Sequence, residues 1–159
     1  MKRNLAFIII LFISGAAGAQ TNFSGSWGEP QLEMISGIQY SNAVPNQVTV
    51  FQTKDSIRIT RLENEENAKS YTITLALNGK AFSYIGTNSK RTINFTANLS
   101  NNGNTLTITS TFSFSDKPGE VEYKNIEVWE YSGRTLTITK VSDATLTDDW
   151  TIKAIYTRQ

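Results

Sequence analysis

The side chains able to do chemistry in this sequence are carboxylates, amines, guanidinium groups and hydroxyls, because cysteine and histidine are both absent. That removes a Ser–His–Asp triad, a Cys–His dyad, a disulfide framework and a zinc site built from Cys or His. Three groups of carboxylates are candidates for chemistry. Glu63, Glu65 and Glu66 sit in a polar loop, Glu127 and Glu130 on a strand pattern, and Asp148 and Asp149 before the last strand. A glycosidase needs two acids about 5–10 Å apart in a cleft, and no spacing here marks such a pair. Asp143, Asp148 and Asp149 lack the spacing of an EF-hand loop. The expectation is a protein that is not an enzyme, with no catalytic residue, metal or cofactor. Fifteen basic residues against 14 acidic ones provide no global basic field for a nucleic-acid partner.

What remains is binding. The large aromatic residues expected to face inward are Phe82, Tyr84, Phe95, Phe112, Phe114 and Tyr156. Lys80 shares the parity of Phe82 and Tyr84, and Arg158 that of Tyr156. An aromatic cavity with one basic residue at its mouth would suit a small amphipathic molecule with an acidic head. A packed core uses the same residue types, so a hollow and a filled interior both stand at this point.

The elements that must position these residues follow a period of two. Tyr71-Thr72-Ile73-Thr74-Leu75, Thr92-Ile93-Asn94-Phe95-Thr96 and Thr105-Leu106-Thr107-Ile108-Thr109 alternate polar and apolar residues, as half-buried strands do. Strands are expected near Trp27 and at about 47–53, 55–62, 70–78, 80–86, 91–100, 104–115, 120–132, 134–142 and 149–158, with the usual boundary error. Asn78-Gly79 reads as a tight hairpin turn, and Lys117-Pro118-Gly119-Glu120 as a proline–glycine turn. Gly103-Asn104-Thr105-Leu106-Thr107-Ile108-Thr109 returns as Gly133-Arg134-Thr135-Leu136-Thr137-Ile138-Thr139, two hairpin exits with one solution. Between Glu120 and Ser132 the apolar parity changes, which predicts a β-bulge near Lys124-Asn125 and leaves the facing of Trp129 open. Short sequential hairpins imply a meander, and closure removes its exposed edges. The fold class expected is all-β, a single antiparallel up-and-down barrel of eight to ten strands.

The first residues read as an address. Lys2 and Arg3 precede the apolar run Leu5 to Ile13, which is shorter than the roughly 20 residues of a spanning helix. Ala17-Gly18-Ala19 then fits a cleavage signal. Residues 1–19 are expected to be a signal peptide cut between Ala19 and Gln20, leaving a domain of 20–159 in the periplasm or secreted. Without Lys2 and Arg3 the formal charge of +1 becomes −1.

The mature start, Phe23-Ser24-Gly25-Ser26-Trp27, resembles the Gly-x-Trp signature of lipocalins and the wider calycin group. The chain from about 22 to 158 is also similar to exported bacterial lipocalin-like proteins of unassigned function. Leu77-Asn78-Gly79-Lys80, and Trp129 followed by Gly133 to Thr137, carry that likeness. The resemblance implies that Gly25 and Trp27 close the barrel floor with Arg158 packed over the indole. The fatty-acid-binding branch holds a carboxylate with an Arg-x-Tyr pair near its end. Here the order is Tyr156-Thr157-Arg158, and Arg158 is assigned to Trp27 instead. The implied function is a soluble exported barrel, without stable membrane insertion, that binds a small hydrophobic or amphipathic molecule. Two other readings stand beside it: a filled barrel acting through its loops as a structural or interaction module, and a small outer-membrane barrel. Oligomeric state is left open.

Overall fold

The computed structural model describes residues 21–37, 43–63, 69–85, 90–117, 119–145 and 147–159. The expected signal peptide and its cleavage point lie outside the described residues, as do Glu65, Glu66 and Pro118.

Alternation becomes burial along the chain. In Ser56–Leu62, Ile57 and Ile59 are buried while Arg58 between them is exposed. The same pattern runs through Thr105–Phe114 and Thr135–Ala144, where Leu106, Ile108, Leu136 and Ile138 turn inward. The ten strands are β1 (Gly25–Ser36), β2 (Gln47–Gln52), β3 (Ser56–Leu62), β4 (Ser70–Ala76), β5 (Phe82–Ile85), β6 (Arg91–Leu99), β7 (Thr105–Phe114), β8 (Val121–Ser132), β9 (Thr135–Ala144) and β10 (Trp150–Arg158). They form one antiparallel sheet in the order β4-β3-β2-β1-β10-β9-β8-β7-β6-β5. The first strand therefore meets the last, and the sheet curls into a nearly closed all-β barrel.

Strand β1 holds the seam. Gly25 to Gly28 pair with β2, and the strand runs along β10 from Trp27 to Ser36. Its register shifts between Gly28 and Gln31, where Glu29 takes φ 51° and Pro30 brings no N–H to the ladder. The strand bends there and leaves β2.

The sequence signal at Asn78-Gly79 has a different outcome from the one expected. β4 and β5 are the two edges of the sheet and do not pair with each other. Asn78 instead makes an isolated bridge with Asn98, and the Gly79 N–H donates to the Ala97 carbonyl at 2.9 Å. Gly79 does take a positive φ of 78°. A Cβ there would stand 2.6 Å from the Asn98 side-chain oxygen, so the positive φ and the close approach to β6 both favour glycine at this crossing. The turn residue is right, but it serves a crossing rather than a hairpin. The repeated segments behave alike: Gly103 and Gly133 take φ of 71° and 67° at the mouths of β7 and β9.

The bulge in β8 is also displaced. The pairing of β7 and β8 is regular through Lys124 and Asn125, and it slips where Phe112 pairs with Tyr123 and Ser113 with Val121. Glu122 is the extra residue. Beyond it Asn125, Glu127 and Trp129 share the buried face, and Ile126 and Val128 lie on the other. The change of apolar parity in the sequence reflects polar residues pointing inward, which alternation read through apolar residues alone does not reveal.

One end of the barrel is packed solid. Phe23, Trp27, Val48, Ile57, Leu106, Trp129, Leu136, Ile152 and Tyr156 have no exposed surface. The Trp27 indole N–H donates to the Phe23 carbonyl at 3.1 Å, and its ring meets Tyr131 edge-on at 5.6 Å. The Arg158 guanidinium lies 5.6 Å from the Trp27 ring centre, within cation–π range. Gly25, beside both groups, takes a φ of 153°, a backbone conformation that residues with a side chain rarely adopt. Trp27→Ala is expected to cost about 3–5 kcal/mol, read as a large fall in the thermal midpoint. A midpoint that barely moves would contradict this packing.

Candidate ligand-binding cavity

Halfway along the barrel the inward residues change character. β3 passes from Ile57 and Ile59 to Arg61, β7 from Leu106 and Ile108 to Ser110, β8 from Trp129 to Glu127 and Asn125, and β9 from Leu136 and Ile138 to Lys140. The packed half ends at this level. Beyond it lies a cavity of about 420 Å³, lined by Arg61, Glu63, Tyr71, Thr72, Ile73, Phe82, Tyr84, Ile93, Phe95, Ser110, Phe112, Asn125, Glu127 and Lys140. Both edge strands contribute to it, Tyr71 to Ile73 from β4 and Phe82 and Tyr84 from β5. The interior is thus filled at one end and hollow at the other.

The floor of the cavity is an ion pair. Arg61 donates from its two terminal nitrogens to Glu127 Oε1 at 2.7 Å and Oε2 at 2.8 Å. The Trp129 indole N–H also donates to Glu127 Oε2, at 2.9 Å, and the guanidinium lies 5.7 Å from that indole ring. Both charged side chains are over nine-tenths buried. Burial works against the Glu127 charge, but Arg61, its hydrogen bonds, Lys140 and the Trp129 N–H outweigh it and hold the carboxyl down at about 2. Burial likewise works against the Arg61 charge, and Glu127 more than offsets it, raising that group. Burial pushes Lys140 down, with Glu127 opposing. The Lys140 ammonium donates to the Ala43 carbonyl at 2.7 Å, which ties the residues before β2 against the interior wall.

The aromatic residues singled out from the sequence separate into two groups. Phe82, Tyr84, Phe95 and Phe112 line the cavity, with Phe82 and Tyr84 41% and 47% exposed at its open side. Phe112 stacks on Tyr123 at 4.0 Å. Phe114 and Tyr156 do not line it. Phe114 lies past the end of the regular β7–β8 pairing, at an outer depression with Val121 and Glu122, and Arg91 sits 6.0 Å from its ring. Tyr156 is in the packed half, and its hydroxyl donates to the Pro45 carbonyl at 2.8 Å. Lys80 is exposed and takes no part in the lining. The polar group of the cavity is instead Arg61, Glu127, Lys140 and Asn125, none of which the aromatic pattern indicates. Their signal was present: each continues the parity of buried apolar neighbours on its own strand.

Among solved structures, the fold is similar to that of zebrafish ileal bile acid-binding protein in its complex with cholic acid. The two are 16% identical, with a TM-score of 0.54 over 86% of this chain and 98% of that one. The likeness is one of fold, a calycin-type barrel. No protein-family model and no curated protein sequence matches the chain.

The pair has a clear acid signature. A carboxyl held at about 2, below its ordinary 4.5, adds stability that is present above the ordinary value and lost as pH falls through the folded one. The wild type is expected to lose stability progressively from about pH 5 toward pH 2. The double variant Arg61→Met/Glu127→Leu should lose less over that range. Glu127→Gln alone should cost about 3–5 kcal/mol by leaving Arg61 unbalanced, with the double variant recovering most of it. Denaturant midpoints measured across pH check both outcomes.

Proposed function

We propose that this protein is a soluble, exported carrier that binds one small amphipathic molecule inside its barrel. The observation that carries the reading is the half-hollow interior: aromatic walls from Phe82, Tyr84, Phe95 and Phe112 above a polar floor of Arg61, Glu127 and Lys140. About 420 Å³ lies within the range of small-molecule sites, and their usual make-up is apolar walls with a few placed polar groups. The fold neighbour, whose structure holds cholic acid, supports binding as the use of this architecture. The reading is binding without catalysis. Glu127 is ionised and occupied by Arg61 and Trp129, which leaves it no proton to give at neutral pH and little freedom to take one. Export to the periplasm or beyond rests on the Lys2-Arg3 start, the Leu5–Ile13 run and the Ala17-Gly18-Ala19 cleavage pattern, and the mature chain would begin at Gln20. The facing of the strands supports a water-soluble barrel, since Ile57 and Ile59 point inward and Arg58 outward, opposite to the lipid-facing band of a membrane barrel.

Fluorescence of an environment-sensitive hydrophobic dye tests the reading. The protein from Gln20 onward should stay in the supernatant without detergent and bind the dye in one saturable site. Ser110→Phe, which projects a ring into the cavity, should weaken dye binding by at least about tenfold with little change in thermal midpoint. No dye binding by the wild type would overturn the carrier in favour of the interaction module. Recovery of the protein only in a detergent-dependent pellet would favour the membrane barrel.

A further inference from the structure

The described lysines divide by where they point. Lys54, Lys80 and Lys117, among others, are exposed. Lys124 and Lys153 lie on the outward parity of β8 and β10, opposite to the buried Asn125 and Ile152. Lys140 alone among them continues an inward run, after Leu136 and Ile138 on β9. Its neighbours along that strand, Ile138 and Ser142, are buried, and so are its partners across the sheet, Glu127 on β8 and Ile152 on β10. Lys140 itself is only half-buried, and it lines the cavity. The surface it keeps is therefore reached from inside the barrel.

The amine has company but no counter-ion in contact. It donates one N–H to the Ala43 carbonyl at 2.7 Å. It makes no ion pair among the described residues, and both Glu127 oxygens are already engaged by Arg61 and Trp129. An ammonium drawn away from water favours loss of its proton. Burial presses the Lys140 amine in that direction, against the pull of Glu127. A neutral lysine amine in an apolar pocket is a nucleophile. The Trp150 ring, 5.4 Å from the nitrogen, and Glu127, opposite in the ladder, also suit a cation formed at this place. A protonated imine is such a cation.

We propose that Lys140 captures amphipathic aldehydes from the cavity as a reversible protonated imine, a second mode of binding beside the non-covalent one. The apolar tail lies among Phe82, Phe95 and Phe112 and holds the carbonyl carbon beside the amine. The ammonium first gives a proton to water. The nitrogen then bonds to the carbonyl carbon, the oxygen leaves as water with the two N–H hydrogens, and a proton returns to the imine nitrogen. Ammonium and aldehyde thus become protonated imine and water, with no change in charge and no oxidant or reductant. Hydrolysis runs the same step backward. The capture goes beyond the carrier reading, which needs no bond, and rests on it for access to the amine.

Decanal with sodium cyanoborohydride, which reduces the imine to a stable secondary amine, tests this near neutral pH, where exposed lysines are almost wholly protonated. Mass spectrometry of the protein and its peptides should show a single decyl group per chain, on Lys140. It should form at least about tenfold faster than on Lys54, Lys80 or Lys117. The rate at Lys140 should saturate with decanal. The hydrophobic dye should suppress it, while the exposed lysines react as before. Equal labelling of Lys140 and the exposed lysines, in protein that binds the dye, overturns the proposal and leaves the carrier reading standing. Labelling of Lys140 that bound dye does not suppress overturns it as well. Failure of the dye to bind at all removes both readings. Lys140→Arg, which keeps the charge, should lose the fast adduct, and undiminished fast labelling there overturns the assignment to Lys140. If that variant does not fold, the wild-type peptide map and the dye competition decide the matter.

Discussion

The rest of the structure depends on one buried ion pair. Arg61 and Glu127 lie 66 positions apart in sequence, on strands β3 and β8, and meet through two parallel hydrogen bonds inside the barrel. Removing both charges from water costs several kcal/mol per ion, and the attraction between them repays this only when geometry and the remaining hydrogen bonds are good. Here the geometry is bidentate, as suits a planar guanidinium on a carboxylate, and the Trp129 indole supplies a further donor to Glu127. The pair marks the level at which hydrophobic packing stops. On one side Ile57, Ile59, Leu106, Leu136 and Trp129 close the interior completely. On the other, aromatic side chains stand around open space. Two leucine-like residues in place of the pair would extend the packed half. The charged pair instead gives the cavity a polar base with defined hydrogen-bonding positions.

That base lies between two junctions of the barrel, one closed and one open. β1 joins β10, and the Trp27, Tyr131 and Arg158 cluster seals the packed end. At the other junction β4 and β5 remain unpaired with each other, and the chain crosses by a short bridge through Asn78 and Asn98. The barrel is tight where it carries the core and loose where it carries the cavity. Residues from both unpaired edges, Tyr71 and Tyr84 among them, line the hollow half. At the start of β8 the Glu122 bulge and the bidentate Arg91–Glu122 pair, at 2.9 and 2.7 Å, lie beside the aromatic stack of Phe112 on Tyr123, with Arg91 5.7 Å from the Tyr123 ring.

Most of the fold was legible in the sequence because strand alternation is a local signal. Thr-Leu-Thr-Ile-Thr declares its buried face without reference to anything distant, and strand positions follow with small boundary errors. Pairing is not local. Asn78-Gly79 has the right dihedral preference for a tight turn, but whether its flanking strands pair with each other or with other strands is decided across the whole sheet. The interior polar residues were hidden for a related reason. Arg61 follows Ile57 and Ile59 on one parity, as Lys140 follows Leu136 and Ile138, and alternation alone treats a charge at the end of such a run as the exposed end of the strand. Only the meeting of Arg61 with Glu127 makes either one an interior residue. Phe114 and Tyr156 show the converse: the right residue type and an alternating neighbourhood do not say which half of the barrel a side chain enters.

Native mass spectrometry of the protein expressed in and purified from its own host addresses the half-hollow interior most directly. The expected result is a reproducible population carrying one small molecule per chain, released on gentle activation and absent from Ser110→Phe. A wild-type spectrum of bare protein alone, with no small molecule recovered by solvent extraction of the same sample, would contradict it.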